Sequence, residues 1–108
     1  MNRLYPRLTV NTDKLKHNIL QITARTKAAG ISTAAVIKGF SAFPPLCGLL
    51  RQNGADQLAT SRLEQIEKNI EAGVPGPYLL LRVPMRSELS DVARLADYSL
   101  HSDLSVLK

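Results

Sequence analysis

Short apolar runs recur along this chain at nearly constant spacing, and a helical pattern separates each run from the next. Four of them, Thr33–Ile37, Gln57–Thr60, Tyr78–Val83 and Tyr98–His101, are centred near residues 35, 58, 80 and 99. Two of them, Thr33–Ile37 and Tyr78–Val83, lack the polar alternation of a strand with one face in water, and such a run predicts a strand that is buried on both faces. An earlier run, Arg7–Val10, predicts a leading strand. The spacing indicates an α/β fold built from successive βα units around a parallel sheet.

The segments between the runs have the start and stop signals of helices. Asn11 or Thr12 can cap the first helix, and Gly30 lies where a C-terminal cap belongs. Ser61 begins an S-x-x-E capping box, and Ser87 can cap the fourth helix. Apolar residues at steps of three and four predict the inner faces. In chain order these are Leu15, Ile19, Ile22, Thr26 and Ala29; Leu46, Leu49 and Leu50; Leu63, Ile66 and Ile70; and Leu89, Val92, Ala93 and Ala96.

Two architectures are built from such units, the (β/α)₈ barrel and the doubly wound sheet. Neither G-x-G-x-x-G nor G-x-x-x-x-G-K-[ST] is present, which disfavours the nucleotide-binding versions. A barrel needs eight units in about 250 residues, whereas this sequence holds four clear units after a leading strand and helix. We therefore predict the N-terminal part of a (β/α)₈ barrel and expect a longer protein. A complete doubly wound domain is the structural alternative.

Composition excludes several classes of protein. The 108 residues are 44% hydrophobic, which is enough for a core. No apolar stretch reaches the roughly 18 residues of a membrane helix, so we expect no membrane partner. The single cysteine, Cys47, excludes a disulfide framework and favours a reducing compartment. The first fifteen residues contain no apolar signal region, so we expect a cytoplasmic protein.

The net charge of +5 is concentrated in the first half of the chain. Residues 1–55 contain eight Lys or Arg and one acid, Asp13. These basic residues are scattered, and no aromatic side chains are interleaved with them to stack on bases. We expect a solvated basic face and no nucleic-acid partner. Paired carboxylates, zinc-ligand spacing and a nucleophile elbow are also absent from the sequence, so no metal site is predicted.

Polar side chains follow the carboxyl ends of the predicted strands, where both architectures bind ligands. Lys38 follows Thr33–Ile37 directly. An amine at the mouth of an apolar strand is partly desolvated, which favours the neutral form that attacks carbonyls and forms Schiff bases. Gly39 leaves room beside it for a flat ring. The alternative interpretation is a strand-end lysine whose stem is packed and whose amine reaches water.

Four further residues are candidates for the same rim. Arg82 could bind a carboxylate or a cofactor oxygen, or could form a structural ion pair. Ser61 fits a helix cap better than a nucleophile, because no neighbouring base is apparent. Arg62 lies inside the capping box and is expected to be exposed. His101 could contact a ligand or be an ordinary polar residue at a strand end.

Several segments of the chain resemble the alanine racemase family. The opening strand and helix of that family resemble YPRLTVNTDKLKHNI, and its lysine strand resembles AAVIKGF. A long stretch, GADQLATSRLEQIEKNIEAGVPGPYLLLRVPMRSELSDV, is closer to the ornithine racemase-like branch. Within this branch the best matches are TSR, LLLRVPM and YSLHSDL. The resemblance covers nearly all 108 residues.

This resemblance implies a barrel that binds pyridoxal 5′-phosphate, followed by a β-rich domain, in a protein that is usually a homodimer. It implies that the enzyme interconverts L- and D-amino acids, with a small-molecule amino acid as substrate. Lys38 falls at the position of the Schiff-base lysine, which also carries a proton. Ser61, Arg62, Arg82 and His101 become candidate cofactor contacts.

The sequence departs from alanine racemase itself just after this lysine. Gly39-Phe40-Ser41 stands where alanine racemases continue toward a tyrosine that contacts phosphate, which weakens an alanine assignment. Two alternatives remain: a protein of pyridoxal phosphate homeostasis without racemase activity, and a fold-related amino-acid decarboxylase. The late-barrel phosphate loops and an opposing base are not among these residues, so we expect the stretch by itself to be inactive.

Overall fold

The computed structural model describes residues 6–107 and contains one parallel sheet. Its strands are β1 (Ala34–Val36), β2 (Gln57–Thr60), β3 (Tyr78–Leu80) and β4 (Tyr98–Ser99). They lie in the order β1-β2-β3-β4, and every neighbouring pair is parallel. A barrel adds each strand beside the previous one, whereas a doubly wound sheet reverses its order at a switch point. The described strands show no reversal, so the fold is α/β with the strand order of the N-terminal part of a (β/α)₈ barrel.

The helices connect these strands and pack in one layer. They are α1 (Thr12–Ala28), α2 (Pro44–Gln52), α3 (Leu63–Glu71), α4 (Leu89–Leu95) and the short α5 (Leu104–Leu107). Right-handed crossovers between consecutive parallel strands place such helices on the same face of a sheet. Successive helices from α1 to α4 contact one another. Among the described residues, no helix is long and apolar enough to cross a membrane.

The two faces of the sheet have different surroundings. On the helix side, Leu58, Tyr78 and Leu80 are almost completely buried and form the core with Ile66 of α3. On the opposite face, strand register aligns a row of four residues: Val36, Ala59, Leu79 and Tyr98. The ends of this row are open, since Val36 is 49% exposed and Tyr98 is 56% exposed. In a closed barrel this second face lines the interior. The prediction that the first of these strands is buried on both faces is therefore wrong for β1 in this structure.

Most predicted elements are present, but several boundaries differ. Residues 7–10 form no strand, and Leu8 is 84% exposed. A strand needs a neighbour that pairs with its N–H and C=O groups, and an apolar run cannot show whether one exists. The third observed strand ends at Leu80 instead of Val83, and the fourth ends at Ser99 instead of His101.

Some of the helix caps that the sequence predicts are present in the structure, and others are not. Asn11 caps α1, because its side chain accepts a hydrogen bond from the Lys14 N–H at 3.1 Å. Gly30 follows α1 with a φ of 72°, as its role in a C-terminal cap requires. The two serine caps are wrong. Arg62 occupies the N-cap position of α3 in place of Ser61, and Ser87 lies inside a 3₁₀ turn that precedes α4.

Two isoleucines that were predicted to lie on inner helix faces are exposed, and a polar neighbour of each is buried in its place. Ile22 is 53% exposed and Ile70 is 44% exposed, while Thr23 and Asn69 are buried beside them. The Thr23 hydroxyl donates to the Ile19 carbonyl within α1, so burying it leaves no unpaired donor. Thr23 also lies against Gly54, where an added Cβ would come within 2.6 Å of its Oγ1. Close packing against Gly54 therefore places Thr23, and not Ile22, on the inner face of α1 at this position.

The buried thiol of Cys47 makes stability depend on pH in the alkaline range. Cys47 is fully buried in the core, as its apolar surroundings in the sequence predict. Burial raises its pKa from 9.0 to about 11. Between these values the unfolded chain has lost the thiol proton and the folded chain retains it. This contribution to stability is complete below pH 9 and is lost as the pH rises toward 11.

We predict that the free energy of unfolding falls by about 1.4 kcal/mol per pH unit across this window because of Cys47. Denaturant titrations at several alkaline pH values measure the slope, and Cys47→Ala is the comparison. Burial also raises the pKa of Tyr78 from 10.0 to about 12, so the variant should retain the part of the slope that tyrosine contributes. A slope that Cys47→Ala leaves unchanged would contradict the prediction.

Candidate functional site

Lys38 lies where β1 ends at the carboxyl edge of the sheet. The last contact of this segment with β2 is the hydrogen bond from the Ile37 N–H to the Ala59 carbonyl, 2.9 Å long. Ile37 then takes a helical backbone conformation and begins a 3₁₀ turn over Lys38–Phe40. Lys38 is exposed, so the predicted desolvation of its amine by the strand is not present in this structure.

The space beside Lys38 can accept a planar group. A Cβ built on Gly39 meets no heavy atom within 4 Å. Phe40, the next residue, is partly buried and packs against the core. Lys38 therefore lies on a short turn that is open beside Gly39 and is held to the core by Phe40. These features fit a lysine that binds an aldehyde cofactor, because both the amine and the approach to it are accessible.

Ser61 and Arg62 follow β2, the strand that pairs with β1. Val36 pairs with Ala59, and Lys38 and Ser61 each follow two residues later, at the same edge of the sheet. Ser61 is partly buried. The Arg62 Nε lies 3.7 Å from the Glu64 carboxylate, and both side chains are mostly exposed. The structure thus places Ser61 and Arg62 at the rim that carries Lys38, with Arg62 exposed as predicted.

Arg82 takes part in an ion pair on the segment that follows β3. Its Nη2 lies 3.2 Å from the Glu88 Oε2. The other carboxylate oxygen of Glu88 accepts a hydrogen bond from the Met85 N–H at 2.9 Å. Glu88 therefore joins Arg82 to the turn that leads into α4. This is the structural ion pair that the sequence left as an alternative.

His101 faces the helix layer. Its Nε2 is hydrogen-bonded to the Ser99 Oγ at 2.7 Å, and its Nδ1 is buried without a partner among residues 6–107. The concave surface that it lines is otherwise formed mainly by α4 and α5, including Val92 and Val106. His101 follows β4 at the carboxyl edge of the sheet, and its side chain packs on the helix side with Ser99, α4 and α5.

A further residue connected to this site was missed in the sequence. The side chain of Asn69 on α3 is fully buried and donates a hydrogen bond to the Ala42 carbonyl, four residues after Lys38. The available signal was the position of an asparagine three residues after Ile66, on the buried stripe of an amphipathic helix. Periodicity alone favoured Ile70, because it ranks positions by hydrophobicity.

The parallel strand order, the lysine at a strand end and the open rim define a barrel-type α/β protein with a candidate cofactor lysine. Comparison with known proteins agrees with this class. The family model described as alanine racemase, N-terminal domain, matches residues 10–106. The chain therefore belongs to the alanine racemase N-terminal domain family, as its resemblance indicated.

Two curated relatives are similar over almost the entire chain. A lysine racemase of Thermotoga maritima is 33% identical over 105 residues, and an ornithine racemase of Acetoanaerobium sticklandii is 32% identical over 105 residues. Each alignment covers 97% of this chain. The chain spans 30% of the length of the first relative and 29% of the second. No solved structure matches the chain.

We predict that the ion pair of Arg82 contributes little to stability. Glu88→Gln keeps an acceptor for the Met85 N–H but removes the charge that faces Arg82. Because the Arg82 side chain is 59% exposed, we expect the free energy of unfolding to change by less than about 1 kcal/mol. Glu88→Ala also removes the acceptor, so it should cost more. Thermal and denaturant unfolding of the two variants test this, and a larger loss in Glu88→Gln than in Glu88→Ala would contradict it.

Proposed function

We propose that this chain supplies the cofactor-binding lysine of a pyridoxal phosphate-dependent amino-acid racemase, and that Lys38 is that lysine. The observation that carries the proposal is the place of Lys38. It follows β1 at the edge of the sheet where barrels bind ligands, with open space beside Gly39. Membership of the alanine racemase family and two relatives named as racemases support the reaction class.

The chemistry divides between the cofactor and the chain. When bound, pyridoxal phosphate supplies an aldehyde that captures amines and a ring that delocalises the charge left by removal of an α-proton. Lys38 would hold the cofactor through Nζ and, as a neutral amine, accept the α-proton or return it. A planar centre that receives its proton from the opposite face is inverted, which requires a second proton carrier.

The other rim residues are proposed as contacts of the cofactor's polar groups. Ser61 and Arg62 follow the strand beside Lys38, so they need the smallest displacement to reach a group held there. Arg82 would exchange part of its pairing with Glu88 for an anionic group. His101 would have to leave Ser99. Ser61 and Arg62 are therefore the better supported of the four.

We propose an amino acid as the substrate and take lysine and ornithine as the first two to assay, because the relatives are named for them. The complete enzyme is proposed to be a cytoplasmic homodimer that needs neither nucleic acid nor a membrane. The family resemblance supports the dimer, and the composition of the chain supports the compartment.

We predict that reduction of the cofactor-loaded protein with borohydride places a pyridoxyl group on Lys38. The experiment uses the protein that carries this chain, followed by proteolysis and peptide mass mapping. Lys14, Lys16, Lys27 and Lys68 are internal references in the same digest. Labelling confined to Lys38 supports the assignment. Stoichiometric labelling of a different lysine would show that the cofactor site has been misplaced.

We predict that Lys38→Ala lowers racemisation by at least about a thousandfold, since the variant loses a proton carrier as well as the cofactor bond. The measurements are D-amino acid formation and α-proton exchange in deuterated water with L-lysine and L-ornithine. Lys16→Ala is the matched control, because Lys16 is exposed on α1. Release of carbon dioxide by the wild type, without racemisation, would instead identify a decarboxylase. Wild-type exchange in Lys38→Ala would contradict the catalytic role.

A further inference from the structure

The segment that follows Lys38 has a strained backbone. Ser41 and Ala42 have φ values of 56° and 55°, in the left-handed region, and neither is glycine. This conformation is unfavourable for a residue with a Cβ, because the Cβ approaches the following carbonyl oxygen. Such strain persists only where surrounding contacts impose the conformation. The contacts that impose it here therefore also determine the shape of the Lys38 turn.

Backbone hydrogen bonds close this strained segment against the end of β1. The Ser41 N–H donates to the Lys38 carbonyl at 3.2 Å, and the Ala42 N–H donates to the Ile37 carbonyl at 3.0 Å. Ala42 is fully buried. Lys38 therefore cannot change its direction from the sheet without moving Ser41 and Ala42.

A single side chain from a distant element holds the end of this segment. The Asn69 Nδ2 donates to the Ala42 carbonyl at 3.0 Å and to the Gln65 carbonyl at 2.9 Å. Asn69 is fully buried and lies 27 residues after Ala42, so the contact joins α3 to the Lys38 turn. The neighbouring Lys68 Nζ reaches the Ser41 carbonyl only at 3.4 Å, from an exposed position.

Packing alone does not account for an asparagine at this position. The Asn69 Oδ1 is buried and has no hydrogen-bond partner within residues 6–107. An unpaired buried oxygen is destabilising, whereas leucine has a similar shape and buries no polar atom. The amide also contacts the Gln65 carbonyl and the Cys47 thiol, and its hydrogen bond to the Ala42 carbonyl is the contact that reaches the Lys38 turn.

We propose that Asn69 is a positioning residue that keeps the Lys38 turn in one conformation, and that this presents the Lys38 amine to a bound cofactor. The proposal rests on the assignment of Lys38 made above. A reactive group must be held close to its productive geometry by its supporting contacts. Asn69 supplies such a contact through the backbone, without touching the reacting atoms.

The test compares two variants that each replace a hydrogen-bonded asparagine side chain by leucine. Asn69→Leu removes the bonds to the Ala42 and Gln65 carbonyls. Asn53→Leu is the matched control, because its Nδ2 donates to the Leu49 carbonyl at 2.7 Å at the end of α2 and not to the Lys38 turn. In the protein that carries this chain, we measure pyridoxal phosphate affinity from the visible absorption of the bound cofactor. Hydrogen exchange of the Ser41–Phe43 amides is measured on the same samples.

We expect Asn69→Leu to weaken pyridoxal phosphate affinity by at least about tenfold and to speed amide exchange across Ser41–Phe43. Asn53→Leu should leave both properties within about twofold of the wild type, even where the two variants unfold at similar temperatures. Unchanged affinity in Asn69→Leu, or equal loss in both variants, would overturn the proposal.

Two further measurements apply if Asn69→Leu does not fold. Adding Ser41→Gly relieves left-handed strain at an exposed residue, so the double variant should fold while its affinity stays low. In the unmodified protein, the side-chain amide protons of Asn69 should exchange far more slowly than those of the exposed Asn18. Equal exchange at the two asparagines would show that the hydrogen bond is not maintained and would overturn the proposal.

The outcomes for Asn69 and for Lys38 can be told apart. Cofactor trapped at Lys38 in the wild type, together with unchanged affinity in Asn69→Leu, contradicts only the role of Asn69. Cofactor trapped at another lysine contradicts the proposed function itself, whatever the exchange of the Ser41–Phe43 amides shows.

Discussion

The hydrogen bond from the Ile37 N–H to the Ala59 carbonyl determines where β1 ends and the Lys38 turn begins. Until Ile37, the chain is held in register by β2. Beyond it the backbone becomes helical, and Lys38 leaves the sheet on a turn. A shift of one residue in this register would move Lys38 to the other face of the strand. The position of the candidate site therefore depends on strand pairing as well as on the identity of the lysine.

The helices cover only one face of the sheet in the described structure, and this explains why the candidate site is an open rim. All crossovers between the parallel strands run to the helix face, where Leu58, Tyr78 and Leu80 are buried. No helix within residues 6–107 covers the opposite face, so Val36 and Tyr98 remain about half exposed. In a closed barrel, that face and the rim of Lys38 would be surrounded by further strands. The exposure of Lys38 in residues 6–107 follows from the same arrangement.

Hydrophobic runs and backbone signals predicted the elements well, but they predicted contacts between elements poorly. The bounds of β2, Gln57–Thr60, agree with the prediction, because three consecutive apolar or β-branched residues, Leu58–Thr60, lie between the turn that contains Gly54 and Ser61. Periodicity instead chose Ile70 for the inner face of α3, where the structure buries Asn69. A polar side chain can be buried when it has a hydrogen-bond partner in the core, and here the partner is a carbonyl 27 residues earlier in the chain. The residues around Asn69 in the sequence do not show that this partner is nearby in space.

The sequence alone determined the α/β class, the order of the βα units and the presence of a lysine at a strand end. These features depend on apolar spacing and on chain direction, both of which are local. Only the tertiary structure decided that Ser61 follows the strand paired with that of Lys38, that His101 turns toward the helices, and that Asn69 contacts the strained residues after Lys38. Each of these results depends on which elements are neighbours in space, because hydrogen bonds and strain form between groups that folding brings together.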